Sequence, residues 1–366
     1  MNVSVVIPLF NGEKWVQEAL DSVLDQTLCP NEILVVDDGS TDASRSIVKE
    51  FSNVHLLQNL GSGPNAARNH GLRNTDADAV AFLDQDDLWH PEHLQRLSGL
   101  LQEYPNSPAA FAQKTTFYDS APPQYSTERS GAKQYDPWKD FPKNTLGEPA
   151  LALIRRSALL SAGGWSPKYE GCSDYHMWLK LVLQGPLVVS ESVTAGHRIH
   201  GNSYGDNLRR RRATDYYTRR LKASEDAIER RREKGLNIEK YIPILEAHRA
   251  SKQLLHFLLG QDCKVIGAAE QIDEGLSRKP YKSLVNTWDV LRWYAGQHME
   301  EIAAHHFAAR VLDLVDRWPN SDSRFRNLLR EWALKRTPAR DLIRRHPLSP
   351  SCWNHLVRRG YHKLTK

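Results

Sequence analysis

Three carboxylates stand within four positions in the stretch FLDQDD, at Asp84, Asp86 and Asp87, with no lysine or arginine among them. Like charges at that spacing repel, and burial would raise their pKa values unless something positive compensates. The cluster therefore either lies open to water or holds a cation. Helix capping, a common structural use of aspartate, does not absorb all three. Pro91 suits the first turn of the following helix, which puts the cap near His90 and leaves Asp84 and Asp86 without that job. Hard divalent cations take oxygen ligands, and Mg²⁺ in particular is commonly held by one or two carboxylates plus substrate phosphates. A metal-diphosphate site is the chemistry this spacing favours. A second acidic pair, Asp37 and Asp38, closes the run EILVVDD; there, capping by Asp42 and a turn at DDGS stand as an equal reading.

Elements must bring these groups together. Residues 1 to 120 alternate β-branched runs (VSVVIPL, EILVVDD, VHLLQN, AVAFLD) with helical patterns over Glu13 to Asp25, Ala43 to Phe51 and Pro64 to Arg73. Such runs predict a buried parallel sheet covered on both faces, with ligands bound beyond the carboxyl ends of the strands. Both acidic clusters lie at such ends, and the reading places those ends side by side. Residues 121 to 148, rich in Pro, Gly and polar residues, exceed an ordinary connector and read as a substrate-covering loop. Residues 121 to 206 remain mixed in character. From 207 to 366 the periodicity is helical and punctuated by proline, which predicts an all-α C-terminal domain.

Composition narrows the class. A chain of 366 residues allows one large domain or two. Its four cysteines are far apart and without CxxC spacing, which argues against a disulfide framework or cysteine zinc site and for a reducing compartment. MNVSVVIPLFNGE lacks a basic leader and no apolar run reaches membrane-spanning length, so a soluble cytoplasmic protein is expected. A formal net charge of +5 does not by itself imply nucleic acid, and RNA-type aromatic interleaving is sparse.

In order along roughly residues 1 to 205, VSVVIPLFNGEKWVQEALDSVLDQT, EILVVDDGSTDAS, GPNAARNHGL, AVAFLDQDDLWHPEHL, GGW, SDYHMWLKL and RIHGNS resemble the family 2 glycosyltransferases of GT-A fold. The resemblance implies a GT-A, Rossmann-like and mostly parallel domain at 1–206, with a nucleotide-sugar half at 1–120 and an acceptor half at 121–206. It implies an inverting transfer from a nucleotide diphosphate donor, a UDP-sugar favoured, using Mn²⁺ or Mg²⁺. The acceptor would be a hydroxyl of a glycan or lipid-linked molecule in surface polysaccharide synthesis. Pro8, Phe10, Asn11 and Asp38 resemble the cradle of the nucleotide base, and Arg68 and Asn69 the helix beside the sugar nucleotide. Asp84 and Asp86 resemble donor-binding carboxylates, with Asp86 toward the ribose, and Asp87, Asp86 and His200 the metal-side groups. Asp174 resembles the general base, with Ser173 standing where the family usually has Glu; Trp165 and Ser173 resemble acceptor contacts. For Asp174 an N-cap role, for Trp165 a core role and for His200 a structural role stay open.

Three other readings compete. GSGPNA, residues 61–66, matches a dinucleotide fingerprint but follows the third strand rather than the first, and NAD binding leaves DQDD without a task. A sugar nucleotidyltransferase would set a Gly-rich basic loop after the first strand, where PLFNGEKW is poor in Gly. A catalytically weak carbohydrate-binding or scaffolding module would not require donor carboxylates and a base in one chain. Beyond residue 206, Arg209–Arg212 and the basic tail RRGYHKLTK offer either solvated helix faces or contacts to an anionic membrane surface at the inner leaflet.

Overall fold

The computed structural model describes residues 1–128, 131–141, 144–200 and 213–242, with 244–246, 249, 327 and 330. The chain forms two compact units, Met1–Leu236 and Asn237–Lys366. Of the second, a 3₁₀ turn over Glu239–Tyr241 is described. The all-α reading of 207–366 lies mostly outside the described residues, as do Arg209–Arg212 and the C-terminal basic tail.

The first unit is built on a nine-stranded mixed sheet. Strands β1 (Val3–Leu9), β2 (Glu32–Asp37), β3 (His55–Gln58) and β4 (Ala79–Phe82) run parallel in the order β3-β2-β1-β4. Every residue of β1 is buried, as a central parallel strand covered on both faces requires. The helices that cover it are α1 (Val16–Leu24), α2 (Ser44–Lys49) and α3 (Pro64–Arg73), the last with the predicted bounds and Pro64 in its first turn. Helix α3 lies close on β1 because Gly71 has no side chain: a Cβ there would sit 2.4 Å from Val6 Cγ1.

Past β4 the sheet changes direction. After the short β5 (Leu88–Trp89) and α4 (His93–Glu103) come β6 (Ala109–Phe117), β7 (Ala132–Tyr135) and β8 (Ala152–Arg155). They are followed by α5 (Arg156–Ser161), α6 (Ser173–Leu181) and β9 (Leu187–Arg198). Strand β8 is antiparallel to both β4 and β6, β6 runs parallel to β9, and β5 and β7 each pair antiparallel with β9. The stretch 121–148 is thus not a free covering loop. Its β7 is hydrogen-bonded into the sheet, Ser126 bridges to Val193, and Trp138 is buried.

A last helix, α7 (Ala213–Glu233), packs on α6 and ends the first unit some thirty residues beyond the expected boundary at 206. Its contacts are specific: Tyr175 Oη pairs with Ser224 Oγ at 3.0 Å and His176 Nε2 with Asp226 Oδ2 at 2.7 Å. The Arg220 guanidinium lies 4.6 Å from the Tyr175 ring centre. Cutting the chain after residue 206 strips these partners from buried Tyr175 and His176, each worth about 1–3 kcal/mol when orphaned. Such a chain is expected to aggregate or melt well below one cut after Leu236, as differential scanning fluorimetry would show.

Candidate active site

Strand β1 lies between β2 and β4, with Leu9 opposite Asp37 and Val6 opposite Phe82. The two acidic strand ends are therefore not neighbours; they flank the end of β1 from either side. Pro8 completes the buried strand, and Phe10 follows with its side chain about half exposed, at 54%. Asn11 holds a left-handed φ of 48°, which asparagine tolerates better than most residues. Its Oδ1 accepts the Thr41 N–H at 2.9 Å, and Ser40 Oγ accepts its N–H at 3.0 Å, which joins the β1 turn to DDGST.

Gln85, the spacer inside DQDD, fastens the same turn from the other side. Its Oε1 accepts the Phe10 N–H at 2.8 Å and its Nε2 donates to the Phe10 carbonyl at 3.0 Å, as a neighbouring strand would. Gly12 leaves room for this clasp, since a Cβ there would meet the Gln85 amide at 2.6 Å and push it aside.

Asp37 and Asp38 divide the tasks of the first acidic pair. Asp37 is fully buried, accepts the Ser40 N–H at 3.0 Å and faces Arg45 at 3.3 Å, which is turn formation. Asp38 is partly exposed and accepts Asn59 Nδ2–H at 2.6 Å and the Gly63 N–H at 2.7 Å. It thereby pins the loop before α3, and GSGPNA serves as that helix entry, after β3.

The DQDD segment is a tight turn between β4 and β5, and its three carboxylates point three ways. Asp84 pairs with Arg68 Nη2 at 2.5 Å. Asp86, partly exposed, meets His200 Nε2 at 2.8 Å, and the His200 ring lies against Trp15 with centroids 4.1 Å apart. Asp87 turns inward: its Oδ1 accepts the Arg198 N–H at 3.0 Å and lies 3.2 Å from His197 Nδ1. Burial drives the Asp87 carboxyl up to about 6, against the pull of His197. Burial opposes the charge on His197, but the Asp87 hydrogen bond prevails and holds that imidazole up at about 9. Near neutrality the two form an ion pair. Asp87, expected on the metal side, is thus turned inward in this structure. Pairing of β5 with β9 puts His197 and Arg198 over Asp87, and Asp86 keeps the outward position. Arg198 completes the anchorage, donating to the Asp86 carbonyl at 2.9 Å and to Glu18 and Asp119, each at 2.6 Å.

Asp174 lies in the first turn of α6, whose N-cap is Cys172, so the capping role is not its own. Burial pushes its carboxyl up to about 6; the Tyr175 N–H, Arg220 and Arg68 pull it down while Glu148 adds to the rise. Ser173 and Trp165 do not offer acceptor contacts as expected. The Ser173 hydroxyl is buried and donates to Asn65 Oδ1 at 2.8 Å. Trp165, 1% exposed, packs edge-on against Phe82 and Trp178 at centroid distances of 5.2 and 5.7 Å. It follows Gly163 and Gly164, both at positive φ, and Asn69 grips this turn by its amide: Oδ1 accepts the Trp165 N–H at 2.8 Å and Nδ2 donates to its carbonyl at 2.7 Å. Asn69 is thus spent on the turn rather than turned to a donor. Trp165→Ala is expected to cost about 3–5 kcal/mol of unfolding free energy, measured in denaturant, whereas a surface acceptor contact would cost almost none.

Arg68 joins the two halves. Besides Asp84 it reaches Asn65 Oδ1 at 3.3 Å, the atom that Ser173 also bonds, and it lies 5.5 Å from the Trp165 ring centre. Its charge is felt by Asp174. The sequence assigns no role to Gln85, Asn65 or His197: Gln85 reads there only as a spacer, and Asn65 and His197 lie over a hundred residues from Ser173 and Asp87, which they contact.

Among the described residues no group of three or more His, Cys, Asp or Glu is arranged to hold a metal ion. Asp86 and His200 nevertheless suit a site that a substrate diphosphate completes, because one carboxylate and an imidazole nitrogen already converge at 2.8 Å.

A parallel half-sheet carrying carboxylates beyond its strand ends, continued by a mixed half that supplies Asp174, is the layout of a GT-A type domain. Residues 4–161 match the family model for glycosyl transferase family 2, and this segment is a domain of that family. The chain is 43% identical over 212 residues to an uncharacterized glycosyltransferase of Rickettsia felis, covering 54% of this chain and 34% of that one. It is 39% identical over 106 residues to glycosyltransferase GlyA of Streptococcus pneumoniae, 28% of this chain and 15% of that one. It is also 28% identical over 213 residues to the putative teichuronic acid biosynthesis glycosyltransferase TuaG of Bacillus subtilis, 56% of this chain and 82% of that one. The chain thus spans about a third or less of the first two relatives' length. A crystal structure of S. aureus TarS 1-349 in complex with UDP-GlcNAc shares the fold, with a TM-score of 0.51 at 17% identity, covering 98% of this chain and 92% of that one. Among the described residues, no helix is long and apolar enough to cross a membrane.

Proposed function

We propose that the first unit transfers a sugar from a nucleoside diphosphate donor, with inversion, to a hydroxyl of a glycan or lipid-linked acceptor in surface polysaccharide synthesis. One observation carries this reading. Arg68 bonds Asp84 on one side and, through Asn65, the residue next to Asp174 on the other, so one hydrogen-bonded network runs from the acidic turn to the helix that carries Asp174, which supports a shared site.

Phe10, Asn11 and Asp38 would receive the base, Asp84 and Arg68 the ribose and sugar side, and Asp86 with His200 would hold Mn²⁺ or Mg²⁺ against the diphosphate. The cation, when bound, neutralises charge that grows on the departing diphosphate. Asp174 would take the proton from the acceptor hydroxyl as that oxygen attacks C1 from the face opposite the leaving group, and a base titrating near 6 is ionised at neutral pH. UDP-GlcNAc is the donor to try first, because TarS, of the same fold, was crystallised with it.

The test is a panel of UDP-, GDP- and dTDP-sugars with Mn²⁺ or Mg²⁺ and mixed glycan acceptors, scored for released nucleoside diphosphate and for anomeric configuration. Retention of configuration would overturn the mechanism. Pyrophosphate release from a nucleoside triphosphate and a sugar phosphate would favour the nucleotidyltransferase, and sugar binding without turnover the scaffolding module. Attachment to the membrane is tested separately, by salt-sensitive sedimentation of the full chain with anionic but not neutral vesicles.

A further inference from the structure

Asp174 has a dedicated partner in the segment NTLGE. Asn144 Nδ2 donates to Asp174 Oδ2 at 2.7 Å, while its Oδ1 accepts the Gly147 N–H at 3.3 Å. That second bond settles which way the amide faces. Turned over, the amide would set an oxygen against the carboxylate and an NH₂ against the Gly147 N–H, two repulsive contacts. The segment is itself tied to the aspartate's own helix: the Gly147 carbonyl accepts Trp178 Nε1–H at 2.9 Å, and Trp178 is buried one turn beyond Asp174 on α6. Gly147 has a φ of 78°, which a larger residue would strain, and a Cβ there would lie 2.9 Å from Leu151.

We infer that Asn144 is a positioning residue for Asp174, fixing the rotation of its carboxyl group and favouring the form that can accept a proton. An amide suits this task for a chemical reason. It donates to an oxygen that carries no proton, yet brings no charge that would weaken the base, as lysine would. The charged and titratable groups felt by Asp174 come from every side: Glu148 from the same segment, Arg68 from α3, Arg220 from α7 and the thiol of Cys172 just before α6. Glu148 is itself engaged by Lys114 at 2.5 Å. Asn144 is thus the neutral donor that offsets Glu148 at close range.

The role in catalysis rests on the transfer reaction proposed above; the effect on the carboxyl group does not. The full chain, labelled with ¹³C at aspartate carboxyls, is titrated by NMR, with the Asp174 signal assigned from Asp174→Asn. Asn144→Ala and the similarly sized Asn144→Leu are expected to raise the Asp174 midpoint by roughly half to one pH unit, the worth of one lost hydrogen bond. Asn144→Asp should raise it further, because a like charge replaces a donor. The acid limb of kcat/KM should move by the same amount, with donor KM unchanged. A midpoint that stays put or falls in Asn144→Ala and Asn144→Leu overturns the inference. If the unaltered chain transfers no sugar, the functional reading fails while the titration still decides the role of Asn144.

Discussion

Asp174→Asn is expected to lower kcat for sugar transfer by about 10²–10⁴-fold, the usual worth of a positioned general base, with little change in donor KM. The amide keeps the size of the side chain and its place in the first turn of α6 but cannot accept the acceptor's proton. The unaltered protein should lose activity on acidification through about 6, where the Asp174 carboxyl becomes protonated. The stability sign is opposite to that of an ordinary surface aspartate. Because the folded state raises this pKa above the free value of 3.8, the folded protein holds the proton more tightly than the unfolded chain. The stability it brings is fully present below 3.8 and is lost as pH rises through about 6. At pH 8 the ionised carboxylate therefore costs about 1–3 kcal/mol, which Asp174→Asn removes. The variant should be inactive yet melt higher than the unaltered protein at pH 8, with the difference vanishing near pH 4. An inactive variant that melts lower at pH 8 would mean that Asp174 supports the fold rather than the chemistry.

The second large effect is expected at Asp86. Asp86→Ala removes the outward carboxylate that meets His200 but leaves the backbone carbonyl to which Arg198 donates. Turnover should fall about 10²–10³-fold, in line with losing a principal stabiliser of charge on the leaving group. The thermal stabilisation that UDP with Mn²⁺ gives the unaltered chain should shrink to that given by UDP alone. Asp87→Ala predicts a different pattern. It orphans the charged His197 and the Arg198 N–H, so its signature is a lower Tm with or without ligand. If Asp87→Ala abolished the metal-linked stabilisation at an unchanged Tm, while Asp86→Ala did not, the division of labour drawn from the geometry would be reversed.

That division illustrates what a linear chain can and cannot disclose. The parallel half was legible because its signals are local: β-branched runs for β1 and β2, and Pro64 at the head of α3. DQDD was legible as an acidic turn for the same reason, since its charges sit side by side. Which of its carboxylates faces outward was not, because His197 and Arg198 decide it from over 100 residues away, through the pairing of β5 with β9. The two-residue β5 and the polar β7 are too short or too atypical to show a period of two. Trp165 and Ser173 had the residue types of acceptor contacts, but a buried indole and a hydroxyl bonded to Asn65 are products of packing that no spacing rule encodes. Asn144 was overlooked within a stretch read as a covering loop, where nothing in composition marks a single amide as the partner of a distant aspartate.

In the donor site proposed above, Phe10 would bear on affinity through what its surroundings have already done. The backbone on either side of its exposed ring is immobilised, by Gln85 at Phe10 itself and by Ser40 and Thr41 at Asn11. A flat ligand arriving there meets a shelf that needs no folding of the chain beneath it. The entropy of ordering that turn is settled during folding rather than at each encounter. Covering the ring with a donor base would then count almost wholly toward attraction, so substitutions at Gln85, which bonds the Phe10 backbone, should weaken capture by loosening the shelf.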